Sequence, residues 1–365
     1  MDAATLPAKN GSQKYSIQLQ RLTKTYVGAK DPTLDDLSLD IKDGEFFSVL
    51  GPSGSGKTTT LRLIAGFESS DSGTVVLDGV DVTRVPPNRR NVNTVFQNYA
   101  LFPHMSVAEN VEYPLKMKSR TNKAAIGAVA EEALELVDMH TYAKRLPHEL
   151  SGGQRQRVAL ARAFVSKPKV VLLDEPLGAL DLQLRQKMQV VLKDLHSRLG
   201  ITFIYVTHDQ GEALAMSDRV AVMNGGRIEQ CATARDIYYR PSTRFVASFI
   251  GKSNLMDCQV HSGVLEWGGL KLRLDDSTGP DGPAAVAVRT ESVRILPADN
   301  VGDTANTFPG RVHQRVFLGD ADEVVLDVNG HQLVAKVPAG SGAVCRPGDE
   351  VRIQILPFDM RRVHG

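Results

Sequence analysis

The chain has 365 residues, long for a single hydrophobic core, so two domains are the expectation. Its 43 basic and 42 acidic residues leave a formal charge of +1, with no electrostatic footprint for nucleic acid. Three cysteines, Cys231, Cys258 and Cys345, show no zinc-ligand spacing and cannot all pair within one chain, which fits a reducing, cytoplasmic setting.

The stretch from Met1 to Lys14 is polar and lacks the apolar core of a signal peptide. No run approaches the roughly 18 apolar residues needed to cross a bilayer, so work at a membrane would require another chain to supply the span. The first chemistry-bearing segment begins at Phe46–Leu50, an apolar run that reads as a short buried strand. It leads into Gly51-Pro52-Ser53-Gly54-Ser55-Gly56-Lys57-Thr58, which fits the phosphate-cradling pattern G-x-x-x-x-G-K-[ST], and then into a helix expected from Lys57 to Phe67. Strand, glycine loop and helix N-terminus aim backbone N–H donors and a partial positive charge at one point, which suits a polyphosphate. Lys57 adds a full charge near the β- and γ-phosphates, and the Thr58 hydroxyl is a ligand for Mg²⁺. The flanks make a chance glycine turn a poor description, so nucleoside triphosphate binding is the expectation.

Further along, Leu150-Ser151-Gly152-Gly153-Gln154 precedes an apolar-periodic run through Ala163. Ser151 suits an N-cap and the glycines leave backbone N–H groups open, giving a second anion-seeking helix start. Taken alone, this is equally a capped helix with no ligand. Val170–Leu173 reads as a buried strand ending in Asp174-Glu175-Pro176. Asp174 there suits Mg²⁺ held through water, and Glu175, pointing differently, suits a general base for the attacking water. Leu184, Met188, Val191, Leu192, Leu195 and Leu199 recur at helical spacing, so Leu182–Leu199 is an amphipathic helix leading to a second buried strand, Thr202–Val206. Arg219–Met223 and Arg227–Gln230, joined by Asn224-Gly225-Gly226, read as a hairpin.

After about Pro241 the expectation is all-β: short alternating strands with turn residues between them. Val324–Val328, Asn329-Gly330 and Leu333–Val337 form the clearest hairpin, because Asn-Gly supplies the positive φ of a type I′ turn. Val351, Ile353 and Ile355 alternate likewise, and a small barrel of the oligonucleotide/oligosaccharide-binding (OB) kind accounts for the region. No basic, aromatic-rich stripe supports oligonucleotide binding there.

Gly51–Thr58, Ser151–Gln154 and Asp174-Glu175 together resemble the ATPase subunit of an ABC transporter, and the likeness runs over nearly the whole chain. It implies an α/β P-loop nucleotide-binding domain in residues 1–245, with a mixed sheet and a helical subdomain at about 99–160. A small all-β OB-like domain follows in residues 246–365. The resemblance makes Glu175, His208 and Lys57 catalytic. It places ATP against Tyr26 (stacking on adenine), Gly51, Pro52, Ser53, Gly54, Ser55, Gly56, Lys57, Thr58, Thr59 and Gln97. It assigns Mg²⁺ to Thr58, Gln97 and Asp174, with Gln97 also sensing the membrane partner. Ser151, Gly153 and Gln154 are implied to face the γ-phosphate held by a second copy, and Asp181, in the loop Gly178–Asp181, to contact the dimer and its nucleotide.

Tyr99–Val107 and Thr207-His208-Asp209-Gln210 resemble bacterial importer ATPases of the polyamine, ferric-iron, sulfate and sugar group, and the spermidine/putrescine type most. The implied assembly is a homodimer of this chain with two integral-membrane permease subunits and, indirectly, an extracytoplasmic solute-binding protein. That places the chain peripherally on the cytoplasmic face of the membrane, with ATP and Mg²⁺ as cofactors and no nucleic acid. Apolar residues in Ala100–Met105 and Tyr113–Leu115 are expected either on the permease-facing surface or in an internal helical core. Two positions depart from the pattern: Gly211 stands where Glu is common, and Gly178 where Ser is frequent. The rival reading, a soluble mechanical ABC-type ATPase, fits poorly because the chain has one phosphate loop and no heptad run. A non-catalytic regulatory subunit fits poorly because Lys57, Glu175 and His208 are all present.

Overall fold

In the computed structural model, which describes residues 14–118, 123–275, 280–298, 305–340 and 346–364, the chain divides into two units, Met1–Ala234 and Arg235–Gly365. Cys345 and almost all of the polar N-terminal stretch lie outside the described residues. The first unit runs β1 (Tyr15–Lys24), β2 (Leu34–Lys42), β3 (Phe46–Leu50), α1 (Lys57–Ala65), β4 (Ser72–Leu77), β5 (Val80–Asp81) and β6 (Val92–Val95). Helices α2 (Val107–Lys118), α3 (Lys123–Glu135) and α4 (Gly152–Phe164) come next. They lead to β7 (Val170–Asp174), α5 (Leu182–Leu199), β8 (Thr202–Thr207), α6 (Gln210–Met216), β9 (Arg219–Asn224) and β10 (Arg227–Thr233).

These strands build two sheets. One is antiparallel in the order β2-β1-β4-β5. The other has six strands in the order β10-β9-β3-β8-β7-β6, parallel throughout except for the β9–β10 hairpin. Every residue of β3 and β8 is buried, as a strand covered on both faces requires. One face carries Phe47, Val49, Leu172 and Ile204 into a core shared with β1, β2 and α1. The opposite face carries Phe46, Leu173, Phe203 and Tyr205 into a core shared with α2 to α5. Each such large apolar side chain contributes roughly 1.5–3 kcal/mol on burial, so the middle of the sheet is a rigid base. Helix α5 spans the range its periodicity predicts; Asp181 caps its start and Gly200, at φ 63°, ends it.

The second unit begins with a helical stretch that the strand pattern after Pro241 concealed. After α7 (Ala234–Tyr239), helix α8 (Arg244–Phe249) forms because the Thr243 side chain accepts the Val246 N–H as an N-cap. Both helices are tied to the strands by Arg289, which donates to the carbonyls of Tyr238 at 2.9 Å and Ala247 at 3.2 Å. Among the described residues ten strands follow: β11 (Ser253–His261), β12 (Val264–Trp267), β13 (Leu270–Arg273), β14 (Gly282–Arg289), β15 (Arg294–Leu296), β16 (Thr307–Phe317), β17 (Ala321–Val328), β18 (His331–Pro338), β19 (Glu350–Gln354) and β20 (Met360–Val363). They pair as two five-stranded antiparallel sheets, β13-β12-β11-β14-β20 and β15-β19-β16-β17-β18, around one apolar core. Asn329 (φ 52°) and Gly330 (φ 81°) make the tight β17–β18 turn that their sequence demands.

Candidate active site

Four neighbouring parallel strands end on one edge. In the register, Leu50 of β3 lies beside Thr207 of β8, Asp174 of β7 beside Val206 of β8, and Val95 of β6 beside Leu173 of β7. The next residues along those strands are Gly51, His208, Glu175 and Phe96-Gln97. With strands about 4.8 Å apart, parts of the chain more than 150 residues distant converge on the crevice outside the strand ends, where open α/β sheets bind ligands.

The phosphate loop is held open by glycine. Gly56 adopts φ 99°, and a Cβ there would meet Leu34 Cδ2 at 2.6 Å and the Thr33 carbonyl at 2.8 Å. Two constraints, a left-handed backbone and a close backbone neighbour, thus exclude any side chain. Lys57 is buried, and its Nζ donates to the carbonyls of Gly51 at 2.9 Å and Pro52 at 2.8 Å. Burial lowers its pKa, while Glu175 and Asp174 act in the opposite sense. The Ser55 hydroxyl is buried without a hydrogen-bond partner, an orphan that a bound oxyanion inside the loop would satisfy. Ser53 and Gly54 form the exposed crest of the loop, and Pro52 beside them is half-buried.

The acid pair splits as its sequence suggests. Glu175 takes φ 45° while its N–H donates to Val206 O, so its side chain leaves the direction set by Asp174. Asp174 accepts from the Thr58 hydroxyl at 3.5 Å, and burial, then the Glu175 charge, raise its pKa. Glu175 Oε1 lies 3.1 Å from His208 Nδ1; a carboxylate only accepts, so this nitrogen carries the proton. The Gln97 amide lies by Gly178 and Glu175: a Cβ on Gly178 would be 3.7 Å from Gln97 Nε2 and 4.0 Å from Glu175 Oε2. Lys57, Thr58, Gln97, Asp174, Glu175 and His208 are therefore one constellation. The Thr58 hydroxyl, the Gln97 amide oxygen and the Asp174 carboxylate are hard oxygen donors of the kind Mg²⁺ takes alongside phosphate oxygens. Among the described residues no three His, Cys, Asp or Glu side chains gather as a self-sufficient metal centre.

The remaining expected residues sit as follows. Ser151 N-caps α4 in a capping box: its Oγ accepts the Gln154 N–H at 3.3 Å and its N–H donates to Gln154 Oε1 at 2.9 Å. Gly153 has a packing reason that the sequence did not reveal, since a Cβ there would be 2.9 Å from Leu184 Cδ1. Asp181 accepts the Leu184 N–H at 3.0 Å and so caps α5. Tyr26 follows β1, with its hydroxyl 3.3 Å from that of Thr59 and the Lys24 ammonium 5.4 Å from its ring.

Ala100–Met105 is mixed, with Ala100, Pro103 and His104 exposed and the other three half-buried. Leu101 and Phe102 are half-buried, and the Phe102 ring packs 4.6 Å from Tyr113. The exposed aromatic pair beside Gln97 is instead Phe67 and Phe96, 51% and 36% accessible with ring centres 5.8 Å apart. Tyr99 and Ala100 both have positive φ, 62° and 46°, and Arg162 of α4 clamps their carbonyls at 2.8 and 2.7 Å. Sequence reading also passed over Arg185 and Glu212, which form a network with Asp209, the residue after His208. The spacing Asp209-x-x-Glu212 was the available signal for a helix start there.

Known proteins resemble this chain in both of its parts. The ABC transporter family matches residues 34–178, and the TOBE domain family matches residues 286–363. The spermidine/putrescine import ATP-binding protein of Thermobifida fusca is 52% identical over 316 residues, 83% of this chain and 81% of that protein. An uncharacterized ABC transporter ATP-binding protein of Escherichia coli K12 is 58% identical over 243 residues, 67% of this chain and 71% of that protein. Among solved structures, the dimeric post-hydrolysis state of an ATP-binding cassette bound to ADP and Pi superposes with a TM-score of 0.54. It is 34% identical and covers 60% of this chain and 99% of its own.

Proposed function

This chain belongs to the ABC transporter family as an import ATP-binding subunit, and from that premise we propose that it hydrolyses Mg-ATP between two copies of itself to drive polyamine uptake, of the spermidine/putrescine class, through separate permease subunits. The first unit is the ATPase, and the second is its OB-like TOBE domain. The observation that carries the solute class is the extent of likeness to the Thermobifida fusca import protein, which runs through both units.

In this reading the triphosphate enters the cradle from Gly51 to Thr59. Lys57 leaves the Gly51 and Pro52 carbonyls for the β- and γ-phosphates, exchanging two neutral acceptors for a charged one. Thr58, Gln97 and, through water, Asp174 would hold Mg²⁺, which would neutralise phosphate charge. Glu175 accepts the proton of the attacking water, and His208, oriented by Glu175, contacts the γ-phosphate. Tyr26 lies against adenine. Ser151, Gly153 and Gln154 present a capped helix start to the γ-phosphate of the second copy, and Asp181 lies at that interface. ATP then favours the closed dimer only through contacts absent from the open one, and hydrolysis removes them.

The exposed Phe67–Phe96 pair beside Gln97 suits a docking contact with a permease, which links nucleotide state to transport. No helix among the described residues is long and apolar enough to cross a membrane, in keeping with a peripheral subunit on the cytoplasmic face. A solute-binding protein outside the membrane completes the importer. The test is uptake of labelled spermidine and putrescine by cells carrying the chain, lacking it, or carrying Lys57→Ala. Uptake that depends on the unmodified chain supports the reading; polyamine uptake indifferent to all three backgrounds contradicts the solute class.

A further inference from the structure

We infer that Arg185 is a positioning residue that ties the interface loop Gly178–Asp181 to His208. The inference rests on the reading of His208 as a γ-phosphate contact. Arg185 lies in the first turn of α5, directly after that loop, and its side chain turns back over it. One guanidinium nitrogen, Nη2, donates to the Leu180 carbonyl at 3.2 Å, while Nη1 donates to Asp209 Oδ2 at 3.2 Å. The third, Nε, is buried with no hydrogen bond, 3.7 Å from Glu212 Oε1. One planar fork therefore joins the carbonyl of a loop residue to the residue that follows His208.

The far side of this bridge is rigid. Glu212 is 3% exposed, and its Oε2 accepts from the Tyr205 hydroxyl at 2.6 Å and the Thr207 hydroxyl at 2.7 Å. Burial, with the Glu212 charge, pushes the Tyr205 phenol far above its ordinary range, so it remains a donor. Thr207 Oγ1 also accepts the Asp209 N–H at 3.0 Å, and Asp209 Oδ1 accepts the Glu212 N–H at 3.1 Å. His208 is thus held between two anchored neighbours, Thr207 and Asp209, and Arg185 is the link from that anchor to the interface loop. A shift of the loop when a second copy closes would be felt at the histidine through a guanidinium and not through the long way round the chain. The loose Nε–Glu212 contact leaves room for the network to tighten.

The substitutions Arg185→Lys and Arg185→Ala separate this role from a structural one. Lysine keeps a charge beside Asp209 and Glu212 but cannot hold the Leu180 carbonyl and Asp209 with one planar fork. Expected is a fall in kcat of about tenfold for Arg185→Lys and more for Arg185→Ala, with KM for ATP within about twofold of the parent. A folded variant with kcat within threefold of the parent, or a KM that rises as steeply as kcat falls, overturns the inference. Should Arg185→Ala fail to fold, Arg185→Lys decides by the same criteria. His208→Ala is measured alongside. If it keeps parental turnover, the reading of His208 fails and takes this inference with it; if it is inactive while Arg185→Lys is unimpaired, only the role of Arg185 fails.

Discussion

Glu175→Gln isolates one charge in an otherwise unchanged site. The two side chains match in shape, the φ of 45° is imposed by the backbone bond to Val206, and an amide oxygen can still accept from His208 Nδ1. What disappears is a group able to take a proton from water. A positioned general base contributes about 10²- to 10⁴-fold, so the barrier should rise by about 3–5 kcal/mol at 1.36 kcal/mol per tenfold. Ground-state binding changes far less. Removing the Glu175 charge takes away one influence that raises the Asp174 pKa and one that supports the Lys57 cation, and these oppose each other toward a Mg-phosphate ligand. Phosphate release at saturating ATP, paired with equilibrium binding of ATP, reads both quantities. The expected result is kcat down at least a hundredfold with the ATP Kd within about threefold. A variant that turns over within threefold of the parent refutes the assignment of Glu175 as base.

Three further outcomes follow from particular contacts. Lys57→Ala removes a charged hydrogen bond to phosphate worth about 1.5–3 kcal/mol, so the ATP Kd should weaken roughly ten- to a hundredfold; an unchanged Kd contradicts the phosphate role. Gly56→Ala forces a side chain into a left-handed backbone at about 1–2 kcal/mol and drives a methyl toward the Thr33 carbonyl. Its urea midpoint and ATP affinity should both fall, and parental values would show that the loop tolerates a Cβ. His196 is half-buried between Phe46 and Phe203, donates from Nε2 to the Gly44 carbonyl at 3.0 Å, and has its pKa lowered from 6.5 by burial. The depressed folded pKa means that the unfolded chain binds the proton first. This stability is therefore whole above pH 6.5 and declines as pH falls toward the folded value, with a slope of at most about 1.4 kcal/mol per pH unit. His196→Gln should flatten the pH dependence of the urea midpoint between pH 7.5 and 5.5; an unaltered slope excludes His196 as its source.

Local chemistry was legible where the residues enforcing it are adjacent in sequence. The glycine loop, the apolar strands before it and before Asp174, the helix Leu182–Leu199 and the Asn329-Gly330 hairpin each carry their cause within a few residues. Helix α8 was hidden because only its Thr243 cap marks it, and the alternating strands beyond Pro241 set the expectation for the whole stretch. Hydropathy left Phe102 open between surface and core because its packing against Tyr113, which leaves it half-buried, is decided by tertiary structure. The network beside His208 was the least legible: Arg185, Tyr205 and Glu212 look like ordinary helix and strand residues until the fold brings α5, β8 and α6 together.

The central claim is that the phosphate loop of one copy and Ser151 of another share one ATP. Both Ser53 and Ser151 are exposed, so cysteines can be placed at each within a single Glu175→Gln chain whose native cysteines have been replaced. Under mild oxidation, a disulfide between copies should form with Mg-ATP and be lost without nucleotide, giving a double-mass band on a non-reducing gel. A cross-link confined to one chain, or one between copies that ignores ATP, would contradict the shared site.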